Sequence, residues 1–116
     1  MAISLEECGS SEQRTELRLT GSLDLPGVQN VELRLTAMTA GRRRDAVVDV
    51  SRVDAISSLG IGMLLSIASA MSGRGCRLVL VAPQPIVLEV LRRTRVDGII
   101  RIVADAASVH EALRPA

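Results

Sequence analysis

The sequence of 116 residues contains no phenylalanine, tryptophan or tyrosine. Its core must be built from Leu, Ile, Val, Ala and Met, and the aromatic platforms on which single-stranded nucleic acids stack are missing. Lysine is absent too, all 14 basic residues being arginine. That excludes a Walker-type phosphate lysine and a Schiff-base lysine. Two cysteines, Cys8 and Cys76, and one histidine, His110, show neither metal-ligand nor redox spacing, so no ordinary zinc site can be assembled from them. A net charge of +1 provides no strong field for DNA or an acidic membrane. No run of about 18 apolar residues occurs. The opening MAISLEECGSSEQR lacks the apolar stretch with basic flank of a signal peptide. These absences predict a soluble cytoplasmic protein that binds neither nucleic acid nor membrane and uses no metal or cofactor.

What is present is 47% apolar residues, enough for a core, in a length that suits one domain spanning residues 1–116. AISLEE (2–7) reads as a short strand, and RTELRLTG (14–21) alternates with Leu17 and Leu19 on one face. Pro26 suits a first helical turn, after which Val28, Val31, Leu35 and Met38 fall at helical spacing until Gly41. RRR (42–44) reads as a solvated loop. AVVDVS (46–51) is an apolar run of the kind buried on both faces of a sheet, with RVDAI (52–56) linking it to a helix over 58–71. SGRG (72–75) stops that helix. CRLVLVA (76–82) is a strand and PQPIVLEVLRRTRV (83–96) a helix, with Ile86, Val90 and either Leu91 or Val87 on its inner face. The arginines of RRTR (92–95) complement its negative end. GIIRIV (98–103) is a last strand, and 105–114 a closing helix capped by Asp105. The pattern predicts an α/β domain, a small mixed, mostly parallel sheet of about five strands flanked by about four helices.

The helix over 58–71 is unusual. Gly60 and Gly62 stand in its first turns, where each costs roughly 1 kcal/mol relative to Ala. No charged residue occurs between Asp54 and Arg74, although a surface helix ordinarily carries several. Projected at 3.6 residues per turn, Ile61, Leu64, Leu65, Ala68 and Met71 form a core stripe. Leu59, Met63, Ile67 and Ala70 form a second apolar stripe, and Ser58, Gly62, Ser66, Ser69 and Gly73 a third of small residues. Either neighbouring elements cover the extra stripes, or they stay exposed for a partner. Glycines without side chains would let another backbone approach closely. A phosphate on a serine here adds roughly −1.5 to −2 charge at pH 7, which the helix dipole tolerates while a partner pressed against the small stripe does not. Serine is equally a common N-cap, so Ser57 or Ser58 can serve simply to accept a backbone N–H.

LRLTGSLDL, VVDVSRVDAISSLGIGMLL and CRLVLVAPQPIVLEVLRRTRVDGIIRI together resemble the STAS family, the anti-sigma factor antagonist domains of bacterial partner-switching systems. The likeness covers nearly the whole chain. It is most specific in the middle segment, which is similar to the family's buried strand and Asp-Ser-Ser-Gly-Leu-Gly type helix start. The resemblance implies a binding protein, not an enzyme. Its unphosphorylated form would bind an anti-sigma factor serine kinase, phosphorylation by that kinase would release it, and a metal-dependent serine phosphatase would reverse the step. Aligning Gly60-Ile61-Gly62 with the family's Gly-Leu-Gly puts Ser58 at the phosphorylated position. Ser57 then stands where the family often has Asp, and Leu59 where it often has a second Ser, so Ser57 is the second candidate acceptor. Asp24 matches the aspartate after the second strand. The implied docking surface comprises Ser22, Asp24, Ser57, Ser58, Leu59, Gly60, Gly62, Met63 and Ser66. The alternative is an interaction subunit of a scaffold or transport complex that is never phosphorylated. An uncovered stripe could also pair with a second copy as a homodimer. Nucleotide hydrolysis fares worst, with no glycine-rich phosphate loop and no plausible base.

Overall fold

Along Arg14–Leu23 every second residue is buried, from Thr15 and Leu17 to Leu23, and this period of two builds a long strand, β2. The preceding Ser4–Glu7 forms β1, which pairs antiparallel with it. The computed structural model describes residues 3–114, so Ala2, expected in the first strand, lies outside them. Three parallel strands follow, β3 (Asp45–Ile56), β4 (Leu78–Val81) and β5 (Arg101–Val103), in the sheet order β1-β2-β3-β4-β5. The connecting helices are α1 (Leu25–Met38), α2 (Ser58–Ser72) and α3 (Pro85–Arg93), with a single turn, α4 (Val109–Ala112), near the end. This is the mixed, mostly parallel five-stranded sheet with four helices expected from the sequence.

Neighbouring residues on a strand point to opposite faces, and the buried strands use both. Val48 and Leu80 join Leu35, Leu64, Met71 and Leu91 in the larger core, which places α1, α2 and α3 on one face. Val47, Val79, Val81 and Val103 pack with Val109 of α4 on the other. Among the described residues no helix is long and apolar enough to cross a membrane.

Several boundaries differ from expectation. β3 does not stop at Ser51; residues 52–56, expected as a linker, stay paired to β2 up to Ser22 opposite Ala55 and Leu23 opposite Ile56. Two register shifts break the alternation there, so the period that would reveal a strand is lost. In α3 the inner pair is Val87 and Leu91, while Ile86 is 62% exposed and Val90 half-buried. The helix begins at Pro85, and the row four residues apart from Val87 faces the sheet. The expected closing helix divides into a 3-10 turn (Ala106–Ser108), capped by Asp105 through Ser108 N–H at 3.0 Å, and the short α4. Nor is RRR simply solvated: Arg42 holds Glu7 through two bonds of 2.7 and 3.1 Å, and Arg44 donates to the Ser11 carbonyl at 2.8 Å.

Towards β1 and β2 the second sheet face is open and charged. Arg18 lies 3.6 Å from both Glu6 and Asp49. Burial pushes the Asp49 carboxyl up, but bonds from Ser51 and the Arg18 charge more than offset it and hold it below its ordinary value. Glu7 is lowered to about 2, first by its bond from Arg42. Both carboxylates thus prefer the folded state ionised. Their contribution is present above the unfolded-state pKa and is lost as protons bind on acidification. The urea midpoint is therefore expected to fall as pH drops from about 5 to about 2. Asp49→Asn should make that fall shallower, and an unchanged slope would contradict the assignment.

Candidate partner-docking site

Because β2 and β3 are parallel and end level with each other, the starts of α1 and α2 come together at the carboxyl ends of these two inner strands. Asp24 caps α1, its carboxylate accepting Gly27 N–H at 2.9 Å. Ser57 caps α2, its hydroxyl accepting Gly60 N–H at 3.4 Å. The same hydroxyl donates to the Leu23 carbonyl at 3.0 Å, and the Ser57 N–H donates to that oxygen at 2.9 Å. The first turn of α2 is thus tied to the last residue of β2. Beside it, the Ser22 hydroxyl donates to Asp54 Oδ1 at 2.5 Å.

Ser58 is the first residue of α2 and points outward; it is exposed, and its hydroxyl has no hydrogen-bond partner among the described residues. The two serines therefore differ in kind. Ser57 is engaged by its own fold, whereas Ser58 is available. The glycines differ in the same way. A Cβ on Gly60 would lie 2.8 Å from the Leu23 carbonyl oxygen, but one on Gly62 would meet nothing within 4 Å. Gly60 is a close approach inside the domain, and Gly62 leaves bare backbone on the surface.

Of the expected docking residues, the structure brings Ser58, Leu59, Gly62 and Ser66 to one exposed face of α2, which Ser69 and Ala70 extend. Asp24 and the half-buried Ser22 lie at the adjoining strand end. Met63 and Gly60 do not belong to that face. Met63 is 3% exposed and sits in the core with Ile67, and Gly60 is buried. The second apolar stripe is thus divided: α1 packs beside α2 as well as the sheet below it, so the buried arc reaches Met63 and Ile67, while Leu59 remains 49% exposed. Met63→Ala should cost about 2–5 kcal/mol in urea unfolding. Leu59→Ala should cost under about 1 kcal/mol, as substitutions on exposed positions do; equal losses would contradict this division.

Two residues outside the expected set adjoin these positions: Leu25, 53% exposed at the start of α1, and Asp54, bonded to Ser22. Asp54 was hidden by the misplaced end of β3. The surface is a face, not a pocket. A cavity of about 500 Å³ lies by the ends of β4 and β5, lined by Pro83, Arg92, Asp97 and Arg101 among others, and contains none of the docking residues.

The family model described as Mlab, STAS domain matches residues 8–104. No curated protein matches the sequence. Among solved structures, an anti-sigma factor antagonist from Mycobacterium paratuberculosis superposes with a TM-score of 0.85 at 17% identity, covering 98% of this chain and 96% of that one. SpoIIAA, described as an anti-sigma factor antagonist in its unphosphorylated form, gives a TM-score of 0.68 at 21% identity over 95% of this chain and 94% of that one. The phosphorylated form of SpoIIAA, a Bacillus cell fate determinant, gives 0.69 at 19% identity over 96% of this chain and all (100%) of that one. At these identities the superpositions show a shared fold.

Proposed function

The chain belongs to the STAS domain family, and from that premise we propose that it is an anti-sigma factor antagonist in a partner-switching pathway. Unphosphorylated, it binds an anti-sigma serine kinase through the face that runs from Ser58 and Leu59 to Gly62 and Ser66, with Ser22 and Asp24 at its border. The kinase transfers a phosphoryl group to Ser58. The Ser58 oxygen bonds to the γ-phosphorus of ATP, the bond to ADP breaks, and the hydroxyl proton passes to the kinase. A metal-dependent serine phosphatase restores the hydroxyl. The domain is a substrate and a binding module rather than an enzyme, and it works in the cytoplasm with its kinase.

The observation that carries this reading is the contrast between the two serines. Among the described residues the exposed Ser58 hydroxyl has no hydrogen-bond partner, while the Ser57 hydroxyl is committed to Leu23 and Gly60. A phosphate of roughly −1.5 to −2 charge at the first position of α2 meets the positive end of the helix, so the fold accepts it. A partner packed on Leu59 and Gly62 meets a bulky dianion instead. That SpoIIAA is known in both forms supports the reading.

The test is incubation with the cognate anti-sigma kinase and Mg-ATP, followed by mass-spectrometric location of the phosphate. It should appear on Ser58 in the wild type and in Ser57→Ala, and be lost in Ser58→Ala. Phosphate confined to Ser57 would shift the switch by one residue. No phosphate on either serine, with a kinase active on another substrate, would sink the switch and leave a permanent docking face of the scaffold or transport kind.

A further inference from the structure

We infer that the open edge of β5 takes an extended, acidic segment of a partner protein as a sixth strand of the sheet. The groove involved shares no residue with the docking face of α2. β5 ends the order β1-β2-β3-β4-β5, so one of its sides has no neighbouring strand among the described residues. The Val103 carbonyl accepts the Ala82 N–H at 2.8 Å, which turns Val103 towards β4. Backbone groups alternate in direction along a strand, so the N–H and C=O of Ile102 point to the open side. The other edge of the sheet is covered. There the Arg34 guanidinium donates to the Leu5 carbonyl of β1 at 3.2 Å. No side chain does the same for Ile102 among the described residues.

The cavity of about 500 Å³ runs along this open side, lined by four consecutive residues, Arg101 to Ala104. Side chains of a strand alternate between its faces, so a cavity meets four in a row by following the edge. Leu88 and Arg92, one turn apart on α3, form the far wall. Four strand residues span about 13 Å, room for about four residues of added extended chain.

The charges select the occupant. Ile102 packs on the larger core, the side of α3, whereas Val103 packs with α4 on the other face. Arg101 shares the face of Val103, so Arg92 and Arg101 flank the edge from opposite faces. Both are exposed and without an ion pair among the described residues, unlike Arg93, which holds Glu89. Asp97 offsets only one of these two charges. A strand laid on the edge sends neighbouring side chains to opposite faces. Two adjacent acidic residues would therefore meet one arginine each, with flanking apolar residues over Leu88 and Ile102. This chain's own adjacent acidic pair, Glu6 and Glu7, is already engaged by Arg18 and Arg42. A second copy would bring its own arginines to the edge, adding positive charge where negative charge is needed.

The test titrates the isotope-labelled full-length protein with the capped peptide acetyl-Val-Asp-Glu-Val-amide and follows amide shifts by NMR. The Ile102 amide should shift with a Kd of about 1 mM or tighter. Arg92→Glu and Arg101→Glu should each weaken binding by about tenfold or more, the worth of one charge-assisted bond, with the melting temperature kept. The same peptide methylated on its Asp and Glu backbone nitrogens should weaken as much, since it cannot donate to the edge. No shift at Ile102 up to about 10 mM peptide overturns the inference. Succinate shifting Ile102 as strongly as the peptide, or the methylated peptide binding unchanged, would make the cavity a small-anion site and overturns it too. A dimer in sedimentation velocity whose formation shifts the Ile102 amide would assign the edge to a second copy instead.

Discussion

Gly60→Ala and Gly27→Ala will destabilise the protein, whereas Gly62→Ala will stabilise it. At Gly60 the new methyl would lie 2.8 Å from the Leu23 carbonyl oxygen and 2.9 Å from Ile56 Cγ1. At Gly27 it would lie 2.1 Å from the Ser22 carbonyl oxygen. In both cases the obstacle is backbone at a strand end, which cannot rotate aside. Overpacking of this kind costs about 1–3 kcal/mol, and Gly27, with the closer contact, belongs at or above the upper end. At Gly62 the methyl meets nothing, and the variant should gain up to about 1 kcal/mol of helix propensity. Urea unfolding of the three variants reads the contrast directly. Equal losses at Gly60 and Gly62 would mean that the glycines do not divide into an inner and an outer one.

That division explains why a small domain weakens a helix where it begins. Gly60 lets α2 sit against the end of β2, which sets where Ser57 and Ser58 stand. On the proposed reading, Gly62 gives up helix propensity and leaves a flat patch of exposed backbone beside Ser58 for the partner. The stabilised Gly62→Ala should accordingly bind the kinase less well.

On the proposed reading, Leu59→Asp will leave the fold intact and weaken binding to the anti-sigma kinase by about thirtyfold or more. Leu59 is 49% exposed and stands next to Ser58, so its substitution removes little core contact. Covering the exposed half of a leucine is worth about 1 kcal/mol, and an aspartate left unpaired in the interface costs more than that. Calorimetric titration with the unphosphorylated variants, beside thermal melts, checks both halves. Leu59→Asp binding like wild type would move the docking surface elsewhere. A large drop in melting temperature would show Leu59 to be part of the core.

The fold was legible wherever one period governed a segment. The alternation around Leu17 and Leu19 marked β2, the helical spacing of Val28, Val31 and Leu35 marked α1, and the valine-rich stretch AVVDVS marked β3. It was illegible where the period changes. The two register shifts in β3 hid its last residues, and with them the Ser22–Asp54 pair. At the site, the sequence pointed to a helix start with two serines and two glycines but could not tell the members of each pair apart. The difference comes from tertiary contacts, since the Leu23 carbonyl engages Ser57 and Gly60 and leaves Ser58 and Gly62 outside. Met63 was misplaced for a related reason. Its stripe is as apolar as any, and only the packing of α1 beside α2 decides that Met63 is covered and Leu59 is not.

The most direct test of the switch is a calorimetric titration of the anti-sigma kinase with the protein before and after stoichiometric phosphorylation at Ser58. Binding should weaken by about a hundredfold or more on phosphorylation, as for an interface forced to bury an unpaired charge. The melting temperature of the free domain should stay nearly unchanged. Equal affinity of the two forms, with the phosphate confirmed on Ser58, would contradict the account.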